Sequence, residues 1–289
     1  MLGILLINKD KDMSSFDVIR KLRKKGLKSK KFKTGYLGTL DPMAKGVLPI
    51  LIGKATKLAD LFQADRKKYI GRILIGKKTD TYDVTGNVLE EVNEFKMPSS
   101  AKIKEILSTF RGRIMQTPPA VSAKKINGKR AYEIFRKGDQ VELNPVEVNI
   151  KSINLIEVFD KEFVIEVECS KGTYIRSIAN DFGEKLGIPA TLSGLTRSAV
   201  GDFILDNCIT LDKINDVKDI KDNLLDINTL LHLPKLCYRE PKRIANGIFI
   251  KNREGFEDGS LIKVISEENK ILAIYKTYEG TLKPEVVLV

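Results

Sequence analysis

The sequence has few of the residues that build metal centres and disulfide frameworks. It contains one histidine, His232, and three cysteines, Cys169, Cys208 and Cys237. A lone histidine cannot assemble a histidine-based metal site, and the cysteines are far apart, odd in number and without a C-x-x-C pair. We therefore expect neither a zinc site nor disulfides, a pattern of cysteine use that is typical of a reducing cytosol.

Long apolar runs are missing as well. The first hydrophobic stretch, residues 2–7, is followed at once by Lys9, Asp10, Lys11 and Asp12. It is too short to span a membrane and lacks the cleavage region of a secretion signal. We expect a cytoplasmic protein that does not associate with membranes.

Common cofactor and metal motifs are also absent. The chain has no P-loop and no dinucleotide-binding glycine pattern. Residues 79–86, TDTYDVTG, resemble part of a calcium loop, but the D-x-D-x-D spacing and the terminal glutamate are missing. We reject calcium binding for this segment.

Positive charge is what the sequence has in excess. Fifty Lys and Arg residues face 38 Asp and Glu residues, which gives a net charge of +12. Nine of the basic residues lie in the acid-free segment Arg20 to Lys33, which we call the basic strip. Clustered positive charge favours an anionic partner, with nucleic acid ahead of membrane, although a solvated helix face has the same composition.

Apolar periodicity predicts strands interleaved with helices. Strands are expected at 2–7, 47–52, 69–75, 87–92, 146–159, 163–169 and 191–200. Helices are expected from Ser14 or Ser15 towards residue 25, over 54–62, after Ser99 or Ser100, from a Thr173 cap to Gly187, and near 212–217 and 219–231.

Two segments have a different character. Residues 111–145 are basic and broken by proline and glycine, and they predict a strand, an Asn127-Gly128 hairpin and a short helix over 131–137. After Leu233-Pro234-Lys235, a helix opening at Pro241 and strands at 261–265, 271–275 and 285–289 predict a small module. A module of this size is marginal alone, so we expect it to pack against the larger part.

Two stretches could carry chemistry. Asp41 lies in a glycine-punctuated loop, residues 35–46, and Pro42 biases it towards an extended conformation. Its carboxylate could be a nucleophile, a base or a metal ligand, or the Asp-Pro pair could be a plain turn.

In the second stretch, Lys171 and Gly172 could present backbone N–H groups to a phosphate. Arg176 lies in the first turn of a helix, against the dipole, which suggests an anionic partner unless it is a surface arginine.

Several runs, in order, resemble the TruB family of bacterial tRNA pseudouridine synthases. They are G-x-L-D-P-x-A-x-G-x-L at 38–48, Tyr69 after a lysine pair, T-D-T-x-D-x-x-G at 79–86, S-K-G-T-Y-I-R at 170–176, and Leu195–Arg197. The resemblance implies an α+β fold, with a mixed, largely antiparallel sheet flanked by helices. It divides the chain into a catalytic domain, 1–232, with an RNA-clasping insertion at about 111–145, and a PUA-like RNA-binding domain, 233–289.

The resemblance also implies residue roles. Asp41 matches the nucleophile, Tyr69 the tyrosine that stacks on the target base, and Arg176 the arginine that pairs with the aspartate. An arginine there favours the ionised carboxylate that attack requires. Substrate-binding roles are expected for Lys9, Tyr36, Leu40, Asp80, Lys171, Leu195, Arg197, Lys124 and Arg130, with Leu195 in an apolar pocket. The expected reaction converts uridine 55 of the tRNA T loop into pseudouridine, without cofactor or metal, in a monomer that has no obligate protein partner.

Two departures from the family pattern leave alternatives open. The family's G-H-x-G run has Tyr36 in place of histidine, and its K-P-x-G-x-[ST]-S run appears here as KDKDMSS, residues 9–15, without the proline and glycine. These changes keep a non-catalytic tRNA-folding chaperone as an alternative. A guide-RNA-dependent synthase is a further alternative, which the compact chain argues against.

Overall fold

A computed structural model describes residues 1–28, 32–62, 66–122, 125–126, 129–130, 134 and 143–289. Its largest unit is an 11-stranded sheet with the order β14-β1-β3-β12-β4-β11-β10-β7, extended by β2 on β3, β13 on β12 and β15 on β1. The strands are β1 Gly3–Lys9, β2 Thr34–Tyr36, β3 Ala44–Ile52, β4 Lys67–Ile75, β7 Gly112–Gln116, β10 Val146–Val158, β11 Glu162–Cys169, β12 Ala190–Val200, β13 Phe203–Ile204, β14 Ile209–Thr210 and β15 Leu224–Leu225.

Smaller sheets complete the strand inventory. Two-stranded ribbons form from β5 (Lys77–Thr79) with β6 (Val88–Glu91), and from β8 (Lys125–Ile126) with β9 (Lys129–Arg130). The C-terminal sheet has the order β16-β18-β19-β20-β17. Its strands are β16 Lys235–Cys237, β17 Ile250–Lys251, β18 Leu261–Ile265, β19 Ile271–Tyr278 and β20 Thr281–Val287.

The helices are short and lie between the strands. They are α1 Ser15–Lys24, α2 Ser100–Ser108, α3 Ile175–Leu186, α4 Val217–Asp222, α5 Ile227–Leu230 and α6 Pro241–Ala245, with 3-10 turns at Gly53–Leu58, Leu205–Asn207 and Leu211–Lys213. Helix α3 packs on the large sheet, where the Phe163 and Phe182 rings lie 4.8 Å apart between centroids. The α+β prediction, with a mixed and largely antiparallel sheet, is confirmed.

The centre of the large sheet brings distant motifs together. Strand β12 pairs in parallel with β3, with Leu195 opposite Ala44 and Arg197 opposite Gly46. On its other side β12 runs antiparallel to β4, where Arg197 lies opposite Tyr69. The loop that precedes β3 therefore lies beside the residues of β4 and β12 that the family motifs single out.

The C-terminal sheet packs against the large sheet through a shared apolar cluster. Ile4 and Leu6 of β1 lie in one buried cluster with Ile271 and Ile274 of β19. Lys263 of β18 is buried, and its ammonium donates to the carbonyls of Asn228 and Leu231 at 2.6 and 2.8 Å. The expected packing of the small module against the larger part is confirmed.

Several local predictions need correction. Thr173 does not cap α3: its hydroxyl donates to Ser170, and the N-cap is Tyr174, whose backbone is held by the Gln116 amide. The helix predicted over 219–231 is instead α4, β15 and α5, and the helix predicted over 54–62 is a 3-10 turn. The 125–130 hairpin pairing is confirmed, whereas the predicted 131–137 helix lies, apart from residue 134, outside the described residues.

The loop after β1 contains a residue other than glycine in the left-handed backbone region. Asp12 occupies the position of the family's glycine and has a φ of 64°, in the left-handed region that glycine adopts most easily and aspartate tolerates. Its N–H donates to the Pro42 carbonyl at 2.8 Å. The shape that a glycine would give this loop is therefore kept without one.

Substitutions at Asp12 should reveal this conformation. The left-handed region costs an alanine roughly 1 kcal/mol, so we expect Asp12→Ala to have a free energy of unfolding about that much below Asp12→Gly in urea denaturation. Asp10, whose φ is negative, is the matched control, and there glycine should be the less stable variant because it gains more freedom on unfolding. The same ranking at both positions would contradict the assignment.

Candidate active site

A buried arginine holds the backbone of the loop that carries Asp41. Arg197 is inaccessible to solvent, and its guanidinium donates to the carbonyls of Val47 and Gly38, both at 2.9 Å, with longer contacts to the carbonyls of Leu37 and Thr39. A buried guanidinium saturated by backbone carbonyls fixes a loop rather than contacting a substrate. We therefore reassign Arg197 from substrate binding to positioning.

Gly46 allows this close approach. Its φ is 108°, and a Cβ at this position would lie 2.2 Å from the Arg197 carbonyl oxygen. Only glycine fits such a contact with backbone. The second glycine of the G-x-L-D-P-x-A-x-G motif thus lets β3 and β12 pair next to the Asp41 loop.

Two residues from the start of the chain hold the other side of the loop. Ser15 is buried, and its hydroxyl accepts from the Leu40 N–H at 2.8 Å and donates to the Leu40 carbonyl at 3.1 Å. The Lys9 ammonium is also buried and donates to the carbonyls of Asp10, Met13 and Pro42. Burial lowers the pKa of Lys9 to about 8, although the nearby Asp41 acts in the opposite direction. The structure thus places Lys9 under the loop and away from solvent.

Arg176 joins two aspartates in the centre of the site. Its guanidinium lies 2.9 Å from an Asp41 oxygen and 3.4 Å from an Asp83 oxygen. The Arg176 and Asp83 side chains are 4% and 5% exposed, whereas that of Asp41 is 36% exposed. The guanidinium also donates to the carbonyls of Thr81 and Val121. Asp41 is therefore the accessible end of a buried chain of charges.

Asp83 is a site residue that the sequence analysis missed. Its carboxylate accepts from the Thr81 hydroxyl at 3.1 Å and the Thr85 N–H at 2.9 Å, which fixes it towards Arg176. Asp80, the aspartate singled out in the same motif, instead binds the Asn87 backbone and amide. The D-x-T spacing of Asp83 and Thr85, which is typical of an Asx turn, is the signal that distinguishes them.

A cavity of about 230 Å³ opens over Asp41. Apolar side chains of Leu40, Tyr69, Ile175 and Leu195 line it, together with Asp41, Arg176, Lys67 and the 172–174 turn. Burial raises the pKa of Tyr69, so its hydroxyl stays neutral. The structure thus brings Asp41, Tyr69, Arg176, Leu40 and Leu195 together around one pocket.

The remaining candidate residues lie elsewhere or outside the described part. Tyr36 packs against the main hydrophobic core, and Lys171 is exposed on the turn before α3. Lys124 lies outside the described residues, and of Arg130 only the backbone is described, paired with Lys125. Within the described ranges, no group of three or more His, Cys, Asp or Glu could hold a metal, and no helix is long and apolar enough to cross a membrane.

The Asp83–Arg176 pair should matter for stability because it is buried. Asp83→Asn leaves a buried guanidinium poorly compensated, and we expect the free energy of unfolding to fall by about 3 kcal/mol. Asp202, 93% exposed in its pair with Arg66, is the matched control, and Asp202→Asn should cost less than about 0.5 kcal/mol. Chemical denaturation of the three proteins measures both values, and equal small losses would contradict the burial argument.

Comparisons with known proteins agree with this geometry. Residues 24–175 match the model of the TruB family pseudouridylate synthase N-terminal domain. A protein of Bacillus cereus named tRNA pseudouridine synthase B is 38% identical over 100% of this chain and 98% of its own length. A protein of the same name from Protochlamydia amoebophila is 46% identical over 77% of this chain and 83% of its own.

Solved structures support the fold. The chain matches a structure described as an H/ACA RNP bound to a substrate RNA containing 2′-deoxyuridine, with a TM-score of 0.71, 20% identity, and coverage of 99% of this chain and 85% of the other. A Cbf5-Nop10-Gar1 complex matches with the same TM-score and coverage at 21% identity. On the family match and the full-length relatives, this chain belongs to the TruB family of pseudouridine synthases.

Proposed function

We propose that this protein converts uridine to pseudouridine in tRNA, at position 55 of the T loop. The observation that carries the proposal is the Asp41 carboxylate, accessible in a cavity with both apolar and polar walls and paired with a buried arginine. The full-length relatives named tRNA pseudouridine synthase B support the reaction and the substrate class. Position 55 rests on the motif resemblance described above.

The chemistry suits the residues of the cavity. The C1′–N1 bond of uridine breaks, the uracil turns, and a C1′–C5 bond forms, while C5 loses a proton and N1 gains one. Atoms and electrons balance within the substrate, so the reaction needs no external oxidant, reductant or water. Asp41 acts as the nucleophile, and the ion pair with Arg176 holds its carboxylate in place at the cavity.

Tyr69 and the apolar wall receive the base. Extruding a nucleotide from its stack costs a few kcal/mol. Stacking of the extruded base on an aromatic ring offsets roughly 1–3 kcal/mol of that free energy. Tyr69 and Leu195 both line the cavity. In this proposal the uracil ring lies between Tyr69 and Leu195 while Asp41 faces the ribose.

The nearby surface suits an RNA backbone. The second half of α1 belongs to the basic strip, and the Arg20 and Arg23 guanidinium groups lie 5.9 and 5.7 Å from the centroid of the exposed Phe16 ring on the same helix. Cations beside an exposed aromatic ring offer phosphate contacts and a stacking surface. We propose that α1 contacts the T arm from this face.

The rest of the assignment follows from the substrate. We divide the chain into a catalytic domain, 1–232, and a PUA-like RNA-binding domain, 233–289, with the basic 111–145 segment as an RNA clasp. The protein acts as a monomer in the cytoplasm, where its tRNA substrate is found, and needs no protein partner.

Replacement of the nucleophile tests the proposal directly. We expect wild type to form pseudouridine at position 55 of unmodified tRNA and on a bare T-arm hairpin, and Asp41→Asn to form none. Mass-spectrometric mapping of the RNA measures both. Equal product from the two proteins would overturn the nucleophile assignment.

A comparison of RNA substrates and a tRNA-folding assay separate the alternatives. Product on full tRNA but not on a bare hairpin would point to a requirement beyond the T arm. Rescue of misfolded tRNA by Asp41→Asn, with no product from wild type, would replace the enzyme by a chaperone.

Loop positioning can be tested with neighbouring serines. Ser15→Ala removes both contacts to the Leu40 backbone, and because a misplaced nucleophile is slow, we expect the single-turnover rate to fall at least roughly tenfold. Ser14 caps α1 instead, so Ser14→Ala should cost about 1 kcal/mol of stability and leave the rate within about twofold. Comparable rate losses in both variants would assign the effect to the helix rather than the loop.

A further inference from the structure

Lys67 is a cavity residue to which neither the motifs nor the mechanism above give a role. It lies on β4 two positions before Tyr69, so the two side chains share one face of the strand, and both line the cavity over Asp41. Lys68 lies between them on the opposite face and pairs with Glu168 at 3.7 Å. The alternation of β4 therefore assigns one lysine of the pair to the cavity and the other to the outer surface.

The surroundings of Lys67 are cationic. Its ammonium and an Arg197 nitrogen both lie 3.2 Å from the point where a Cβ on Gly38 would stand. Burial lowers the pKa of Lys67 to about 8. The positive charge of Arg197 acts in the same direction, Cys169 acts against it, and Lys171 adds the least to the lowering. A cation in such a place is stabilised when an anion binds beside it.

The charges already described leave this region without a counter-ion. Asp41 pairs with Arg176, and the Arg197 guanidinium is occupied by backbone carbonyls. In the described part of the chain, each of the ion pairs found around the cavity involves Arg176 and none involves Lys67. A bound anionic substrate would supply a negative charge to this region.

The shape of the cavity favours a phosphate over the uracil ring as that anion. The side chains of Leu40, Tyr69, Ile175 and Leu195 form an apolar part that suits the base. Lys67 and the polar 172–173 turn also line the cavity, and Gly172 in that turn has a φ of 85° and open space where a Cβ would stand. Lysine binds phosphate as a flexible point charge, which suits an open rim of this kind.

We propose that Lys67 binds a phosphate adjoining the flipped nucleotide and thereby fixes the ribose over Asp41. This inference rests on the proposed function, because the phosphate belongs to the RNA whose uridine enters the cavity. Lys67 touches the substrate but not the reacting bonds, so its loss should weaken RNA binding more than it slows the chemical step.

Binding and single-turnover assays on a T-arm hairpin test this role. Lys67→Gln should raise the Kd roughly tenfold and reduce by about one the slope of log Kd against log salt, as expected for one lost phosphate contact. Lys68→Gln is the matched control, with the same charge change on the outer face, and should leave the Kd within about twofold. Equal effects of the two substitutions would overturn the proposal.

A double-mutant cycle identifies the contact. Hairpins carry a neutral methylphosphonate in place of the phosphate on the 5′ or the 3′ side of the target uridine. If Lys67 binds one of these phosphates, Lys67→Gln and that neutral linkage should together weaken binding no more than either alone. Additive losses at both linkages would overturn the proposal.

The pH dependence gives an independent measurement. Because the Lys67 pKa is about 8 in the free protein, hairpin affinity should fall as the pH rises through that value, and Lys67→Arg should remove this fall by staying charged. An unchanged pH profile in Lys67→Arg would contradict the assignment. These binding measurements need no product, so they decide the role of Lys67 even if wild type forms no pseudouridine and the proposed function fails.

Discussion

The site depends on one buried guanidinium. Arg176 lies at the start of α3, where the helix dipole opposes a positive charge, and two aspartates from separate loops compensate it. Asp83 is as buried as the arginine, so its carboxylate is held in one position. Asp41 remains accessible. The arrangement aims one carboxylate into a cavity without leaving the buried arginine uncompensated.

Holding that carboxylate in place takes backbone contacts from three separate parts of the chain. Ser15 fixes Leu40 on one side of Asp41, the Asp12 N–H and the Lys9 ammonium meet the Pro42 carbonyl on the other, and Arg197 fixes the start of the loop. Preorganisation of this kind reduces the conformational freedom that a reacting group must lose. It also explains why motif residues far apart in sequence occur together.

The sequence was a better guide to which motif residues lie at the site than to the role of each residue. Apolar patterning and helix caps predicted the long strands of the large sheet and helices α1 to α3, although the cap expected for α3 was wrong and the short strands were not predicted. The motifs identified Asp41, Tyr69 and Arg176, which the structure brings together. Asp83 was missed because two aspartates in one short motif look alike until the turn around them is known. Arg197 and Lys9 were assigned to the substrate because burial of a long cationic side chain under a loop is not visible in the sequence. Lys67, by contrast, could have been found, since alternation from Tyr69 already places it on the same face.

Strand β1 links the two sheets through its opposite faces. Ile4 and Leu6 face the C-terminal sheet, Leu5 and Ile7 face the main core, and the strand ends at Lys9 under the Asp41 loop. A chain shortened before β16 would lose the cover of the first face and the ammonium of Lys263 that satisfies the end of α5. The C-terminal sheet is thus a structural support of the reaction centre, and an isolated N-terminal fragment would make a poor substitute for the whole enzyme.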